Sequence, residues 1–278
     1  MASVTQRISM IKQPWGGYIR PSSFETIPYN DNAKLNETEN VSGNIIGMTV
    51  EYLTKLILGV DFEKAFQTSL AGLHEVSPFV SYESLKPIYD SLTEIKGNDA
   101  TSIKSACNLV AYDIFGRSPE LALYSDGIKK IDPDFDTIEN IKVFIDRSIS
   151  FFQIYGPVSQ YGFGFLPPNC SEKDVSKWMK KRKGNLGGYT PVVDSGDGDF
   201  LTEDTLWDFK VTKSKIMSKH TLQLLMYWIM GKHSGQPIYS NINRIGIFNP
   251  RSNIVYIMNT NDISPDIIKA VETDVICY

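Results

Sequence analysis

Apolar residues recur at helical spacing from Asn44 to Gly59, in NIIGMTVEYLTKLILG, and a glycine closes the run, so the pattern predicts a helix there. The same period, bounded by Pro, Gly or Asp, predicts further helices over about 61–75, 82–95, 100–115 and 137–155. Residues 1–43 hold no sustained period. They are rich in Asn, Thr, Ser and Pro, with WGGY at 15–18, and predict an irregular arm packed by its aromatics. Past the Gly/Pro-rich stretch 156–170 the texture changes to short strand-like runs: GYTPVV at 188–193, GDFLT at 198–202 and LWDFKVT at 206–212. The turn EDT joins the last two as a tight hairpin. A helical run over 218–232 follows, then RIGIFN and NIVYIMN around PRS as a second hairpin, and PDIIKAVETDVI as a closing helix. The order is a helix, a helical insertion and then β-β-β-α-β-β-α. That order predicts a mixed α/β (α+β) fold, with a central mixed sheet flanked by helices.

Composition narrows the class. At 278 residues, 42% hydrophobic and 22% charged, with 20 Gly and 14 Pro, the chain can bury a full core, which excludes disordered, collagen-like and coiled-coil proteins. One elaborated domain over 1–278 is expected: the arm to 43, a first core helix at 44–60, a mostly helical insertion at 61–187 and a β-rich core at 188–278. The longest apolar run, at 222–230, is less than half a membrane span, and no signal-like segment opens the chain, so a soluble protein with no membrane partner is expected. Cys107, Cys170 and Cys277 are odd in number and far apart, giving neither a disulfide framework nor a CxxC knuckle, and a cytoplasmic location fits.

The net charge of −4 argues against a protein that coats nucleic acid through bulk positive charge, but the charge is segregated. Residues 171–183, SEKDVSKWMKKRK, carry six Lys/Arg against two acids, and 210–220, KVTKSKIMSKH, carry four Lys against none. These windows flank the strand-like runs, where cations can compensate an acidic site and admit a polyanion.

Within the first predicted hairpin, Asp199 opens one strand and Asp208-Phe209-Lys210 sits in the next. Residues two apart on a strand share a face, so Asp208 and Lys210 project together, and the hairpin can bring Asp199 beside Asp208. Two carboxylates so placed suit a hard divalent cation that activates water, with Lys210 orienting that water or stabilising developing charge. The chain holds two acid-x-Lys triplets, no more than its composition gives by chance. The information therefore lies in the strand setting, which Glu94-Ile95-Lys96 lacks. On the helix that follows, Gln223 and Tyr227 stand one turn apart with His220 just before them, a polar pair that needs a partner. Glu51 is a similar polar interruption in the first helix. The bland alternatives are a surface ion pair for the triplet, core hydrogen bonding for Gln223 and Tyr227, and a solvated position for Glu51. His74, His220 and His233 lack zinc-ligand spacing, and DSGDGD lacks the calcium-loop register.

In this order and spacing the chain resembles the PD-(D/E)XK nuclease superfamily, with its restriction-endonuclease-like core, and in particular the RecB-type exonuclease branch. The resemblance covers about 44–60 and 188–258: Glu51 in the first helix, Asp199, the Asp208-x-Lys210 strand, the Gln223-xxx-Tyr227 helix and the trailing hairpin. The first-helix His common in that branch and the cysteine cluster of its iron–sulfur subtype are both absent. The resemblance implies that Asp199, Asp208 and Glu51, with the Phe209 carbonyl, bind Mg²⁺ or Mn²⁺. It also implies that Lys210 assists the attacking water, while Gln223 and Tyr227 brace the site. The expected activity is hydrolysis of DNA phosphodiesters. The alternatives are RNA as substrate and an inactive, nucleic-acid-binding or scaffold protein of the same fold, and a homo-oligomer is compatible with each.

Overall fold

A computed structural model describes residues 2–278. Along the chain run β1 (Ala2–Ser3), α1 (Val4–Met10), β2 (Glu25–Pro28), α2 (Gly43–Ile57), α3 (Phe62–Ala65), α4 (Gln67–Val76), α5 (Tyr82–Ser91), α6 (Ala100–Val110), α7 (Asp113–Arg117) and α8 (Phe135–Tyr155). There follow β3 (Gln160–Phe163), α9 (Glu172–Lys181), β4 (Val193–Ser195), β5 (Gly198–Leu201), β6 (Thr205–Phe209), α10 (Ser218–Ser234), β7 (Arg244–Asn249), β8 (Ile254–Asn259) and α11 (Pro265–Ala270), which continues as a π-helical turn to Ile276. The chain divides into two compact units, one formed by residues to Tyr29 together with Phe152–Tyr278, the other by Asn30–Phe151. No helix among the described residues is long and apolar enough to cross a membrane.

The first unit is built on a mixed six-stranded sheet ordered β2-β8-β7-β6-β5-β3. Only β6 and β7 run parallel, and α10 is the crossover that a parallel pair requires; every other neighbour is antiparallel. Leu201, Leu206, Ile245 and Ile247 face α10 and pack with Leu222, Leu225, Met226 and Ile229 in the main core. On the opposite face, Phe200 and Trp207 stack across the β5–β6 pair with ring centroids 6.2 Å apart. The last turn of α8 covers that stack through Phe152 and Tyr155. Ser3 caps α1 in a capping box with Gln6, and α1 packs on α10.

The second unit is helical. Helices α2 and α6 pack together, as do α4 and α7, around a buried polar cluster. Its centre is Asp113, which accepts from Tyr52 Oη at 2.6 Å and from Ser69 Oγ. Burial raises the Asp113 carboxyl above its ordinary range against those two hydrogen bonds.

The arm and the GYTPVV run differ from the pattern's expectations. The N-terminal arm is irregular over most of 11–42, but it also supplies α1 and the edge strand β2, paired with β8 from Glu25↔Ile257 to Pro28↔Ile254. In the Gly/Pro-rich stretch after α8, where the pattern names no element, β3 closes the other sheet edge against β5. GYTPVV does not form a strand along its length. Gly187 and Gly188 form a turn closed by the Leu186–Tyr189 bridge, and β4 starts only at Val193, in a small parallel pair with β1.

Candidate active site

The β5–β6 hairpin fixes the acidic pair. Its register, Phe200↔Trp207 and Leu201↔Leu206, continued by one residue sets Asp199 opposite Asp208 on the α10 face. Side chains so opposed have Cβ atoms about 4.5–5.5 Å apart. The Phe209 amide N–H donates to Asp199 Oδ2 at 2.5 Å, which anchors that carboxylate against the end of β6. Asp208 is almost wholly buried, at 1% exposed, and its Oδ1 accepts from Lys210 Nζ at 2.9 Å. Lys210 keeps about a quarter of its side chain exposed, so the ammonium sits at the mouth of the site above a buried carboxylate.

Helix α10 supplies the far wall. Gln223 Nε2 donates to the Tyr227 hydroxyl at 2.9 Å, one turn apart as helix geometry dictates. The Tyr227 hydroxyl is held well above its ordinary range by burial and then by Asp208, with smaller contributions from Asp199 and Asp197. It therefore stays protonated and lies within the field of both hairpin carboxylates. His220 accepts from the Met217 amide through Nδ1 at 3.2 Å, closing the first turn of α10. Burial, then Lys210 and Lys219, push its imidazole down to about 4, so it is neutral at pH 7 and close to Lys210.

One positioning residue escapes the sequence patterns. Asn249, buried at the end of β7, donates through Nδ2 to the Thr212 carbonyl at 2.9 Å and accepts from the Arg251 amide at 3.1 Å. It ties the chain just beyond Lys210 to β7, where the Lys210 amide also donates to the Phe248 carbonyl at 3.0 Å. The only hint in the sequence is an Asn before Pro in FNPRS, an ordinary turn signal.

The structure thus brings together Asp199, Asp208, Phe209, Lys210, Gln223 and Tyr227 within one unit. Glu51 belongs to the other unit, on α2, where its carboxylate accepts from Lys55 Nζ at 2.6 Å across one helical turn. Among the described residues, no group of three or more His, Cys, Asp or Glu side chains is arranged to hold a metal ion. The donors in the hairpin are hard carboxylate oxygens. Mg²⁺ accepts one or two carboxylates and completes its shell with water and phosphate oxygens, so this two-carboxylate set fits such an ion without a third protein ligand. No family model matches the chain, and no curated protein and no solved structure matches it.

Proposed function

We propose that the chain is a metal-dependent nuclease with a restriction-endonuclease-like core, hydrolysing DNA phosphodiester bonds at the Asp199–Asp208–Lys210 site. The observation that carries this reading is the hairpin register, which sets two carboxylates face to face with an ammonium two residues along the same strand face. Asp199 and Asp208 are the residues that would hold Mg²⁺ or Mn²⁺. When bound, such an ion supplies an activated water and neutralises charge on the phosphate. Lys210, at the solvent edge, would stand where it can donate to an attacking water or to a phosphate oxygen. The Phe209 amide holds Asp199 in orientation, and Tyr227, kept protonated, offers a neutral hydroxyl beside the carboxylates. The exposed lysines at 213, 215 and 219 supply the positive field that draws a polyanion toward a doubly acidic site.

The test is cleavage of plasmid, linear duplex and single-stranded DNA, and of RNA, in Mg²⁺, Mn²⁺ or EDTA, with Asp208→Asn and Lys210→Ala alongside the wild type. The expected result is divalent-dependent cleavage lost in both variants. Equal activity in all three proteins refutes the assignment. The alternative reading is a noncatalytic nucleic-acid-binding protein of the same fold. Its signature is binding without turnover in either metal.

A further inference from the structure

Trp15 is 90% exposed, the most exposed of the large apolar side chains among the described residues and the opposite of the packing role that the aromatic arm suggests. A rigid turn presents it. The Gly17 amide donates to the Pro14 carbonyl at 2.8 Å and Gly16 has φ +85°, as a type II turn with Trp15 at its first corner requires. The Arg20 guanidinium lies over the indole, 5.3 Å from its centroid, and leaves the ring largely open to solvent.

This turn packs on the N-terminal turn of α10, the helix that carries Gln223 and Tyr227 further along. A Cβ on Gly17 would fall 2.5 Å from Ser218 Cβ, so the arm touches the first turn of α10 directly. Three residues on, Thr221 Oγ1 donates to the Ile19 carbonyl at 2.7 Å. The residues next along α10 are Lys219 and His220, and His220 feels the charge of Lys210, the partner of Asp208. Arg20 sits on Trp15 and Lys12 is exposed three residues before it, while the segment that leads from Lys210 into α10 carries the exposed Lys213, Lys215 and Lys219 with no acidic residue between positions 209 and 220. An open aromatic face on an arm that touches the first turn of α10, where a lysine-rich segment running on from Asp208 ends, suits single-stranded nucleic acid: bases stack on the ring and phosphates pair with the cations. A duplex keeps its bases stacked on one another and has no free face to offer an indole.

The geometry points to Trp15, backed by Arg20, as a base-stacking platform that selects single-stranded nucleic acid for the site between β5–β6 and α10. The inference deepens the nuclease reading and rests on it for what happens after binding, but binding itself needs no catalysis. It is therefore measured with full-length protein carrying Asp208→Asn, in EDTA, using labelled single-stranded DNA, single-stranded RNA and a DNA hairpin duplex. Trp15→Ala is expected to weaken binding of the single strands by about tenfold, the range that loss of one base–aromatic stack allows, and to leave duplex binding unchanged. Trp15→Phe, which keeps a stacking face, is expected to retain most of the affinity while abolishing the strand-induced quenching of tryptophan fluorescence. Preference between the DNA and RNA single strands identifies which of them is the ligand. Unchanged single-strand affinity in Trp15→Ala, or equal losses for single strands and duplex, overturns the proposal, with melting temperature confirming that the variant is folded. Wild-type cleavage together with an indifferent Trp15 removes this inference alone. A Trp15-dependent single-strand affinity in a protein that never cleaves removes the nuclease reading alone.

Discussion

Lys210→Met should destabilise the protein more than its surface location suggests, because it takes the cation from a buried carboxylate. At 2.9 Å and an effective dielectric constant near 20, the gross attraction between Lys210 and Asp208 is about 6 kcal/mol. Desolvation of Asp208 offsets much of that, and the partial exposure of Lys210 screens more. Exposed pairs are worth about 0.2–1 kcal/mol, and breaking a fully buried pair costs about 3–5 kcal/mol. With one partner buried and the other about a quarter exposed, a cost of about 2 kcal/mol is expected, or a fall in Tm of about 4–8 °C. Asp208→Asn should cost only about 1 kcal/mol, since the ammonium left behind can turn to water. The double variant should then be no worse than Lys210→Met alone, a coupling energy near 1 kcal/mol. Urea denaturation of the four proteins of this cycle measures it. Additivity within about 0.3 kcal/mol would refute the claim that the two groups act as a buried pair. A further arm links stability to the proposed ion: Mg²⁺ should raise the Tm of Lys210→Met more than that of the wild type, since a cation at Asp208 replaces the missing ammonium.

Tyr227→Phe removes the hydroxyl that partners Gln223, and is expected to cost about 1 kcal/mol of stability and to slow divalent-dependent cleavage while leaving DNA binding intact. Loss of binding in parallel with cleavage would argue for a purely structural tyrosine. His220 has its pKa depressed in the folded chain, so between the ordinary value of 6.5 and about 4 the unfolded chain binds the extra proton and stability falls as pH drops through that window. His220→Gln should flatten this limb of a Tm-against-pH profile; an identical slope in the variant would show that other groups titrate there. Trp207→Leu empties part of the stack against Phe200 and Tyr155 and should cost about 2–4 kcal/mol in urea denaturation, far more than Trp15→Ala, which should change Tm by less than a degree or two.

The local pattern alone determined most helices and the whole run from the first hairpin to the last helix. GDFLT and LWDFKVT alternate around a short turn and form β5 and β6, and the apolar stretch ending at Gly235 forms α10, whose C-cap is that glycine in the left-handed conformation. Placing Asp208 and Lys210 on one face needed only the period of two. That Gln223 and Tyr227 bond each other needed only the rise of a helix. These are short-range consequences of backbone geometry, so they can be read from neighbouring residues.

Pairing between distant segments is decided only when the chain closes on itself. ETIP carries no alternation and ends in Pro28, which suits an edge position alone; it becomes β2 because β8 presents an open edge to it. QYGF at 160–163 is too short and too glycine-interrupted to announce itself, yet it completes the sheet beside β5. Asn249 looks like any turn residue until folding lays the chain after Lys210 against β7. Burial of Asp208, exposure of Trp15 and the seating of the arm on α10 are likewise tertiary outcomes. Each depends on which surfaces meet, and side-chain type in isolation does not encode that.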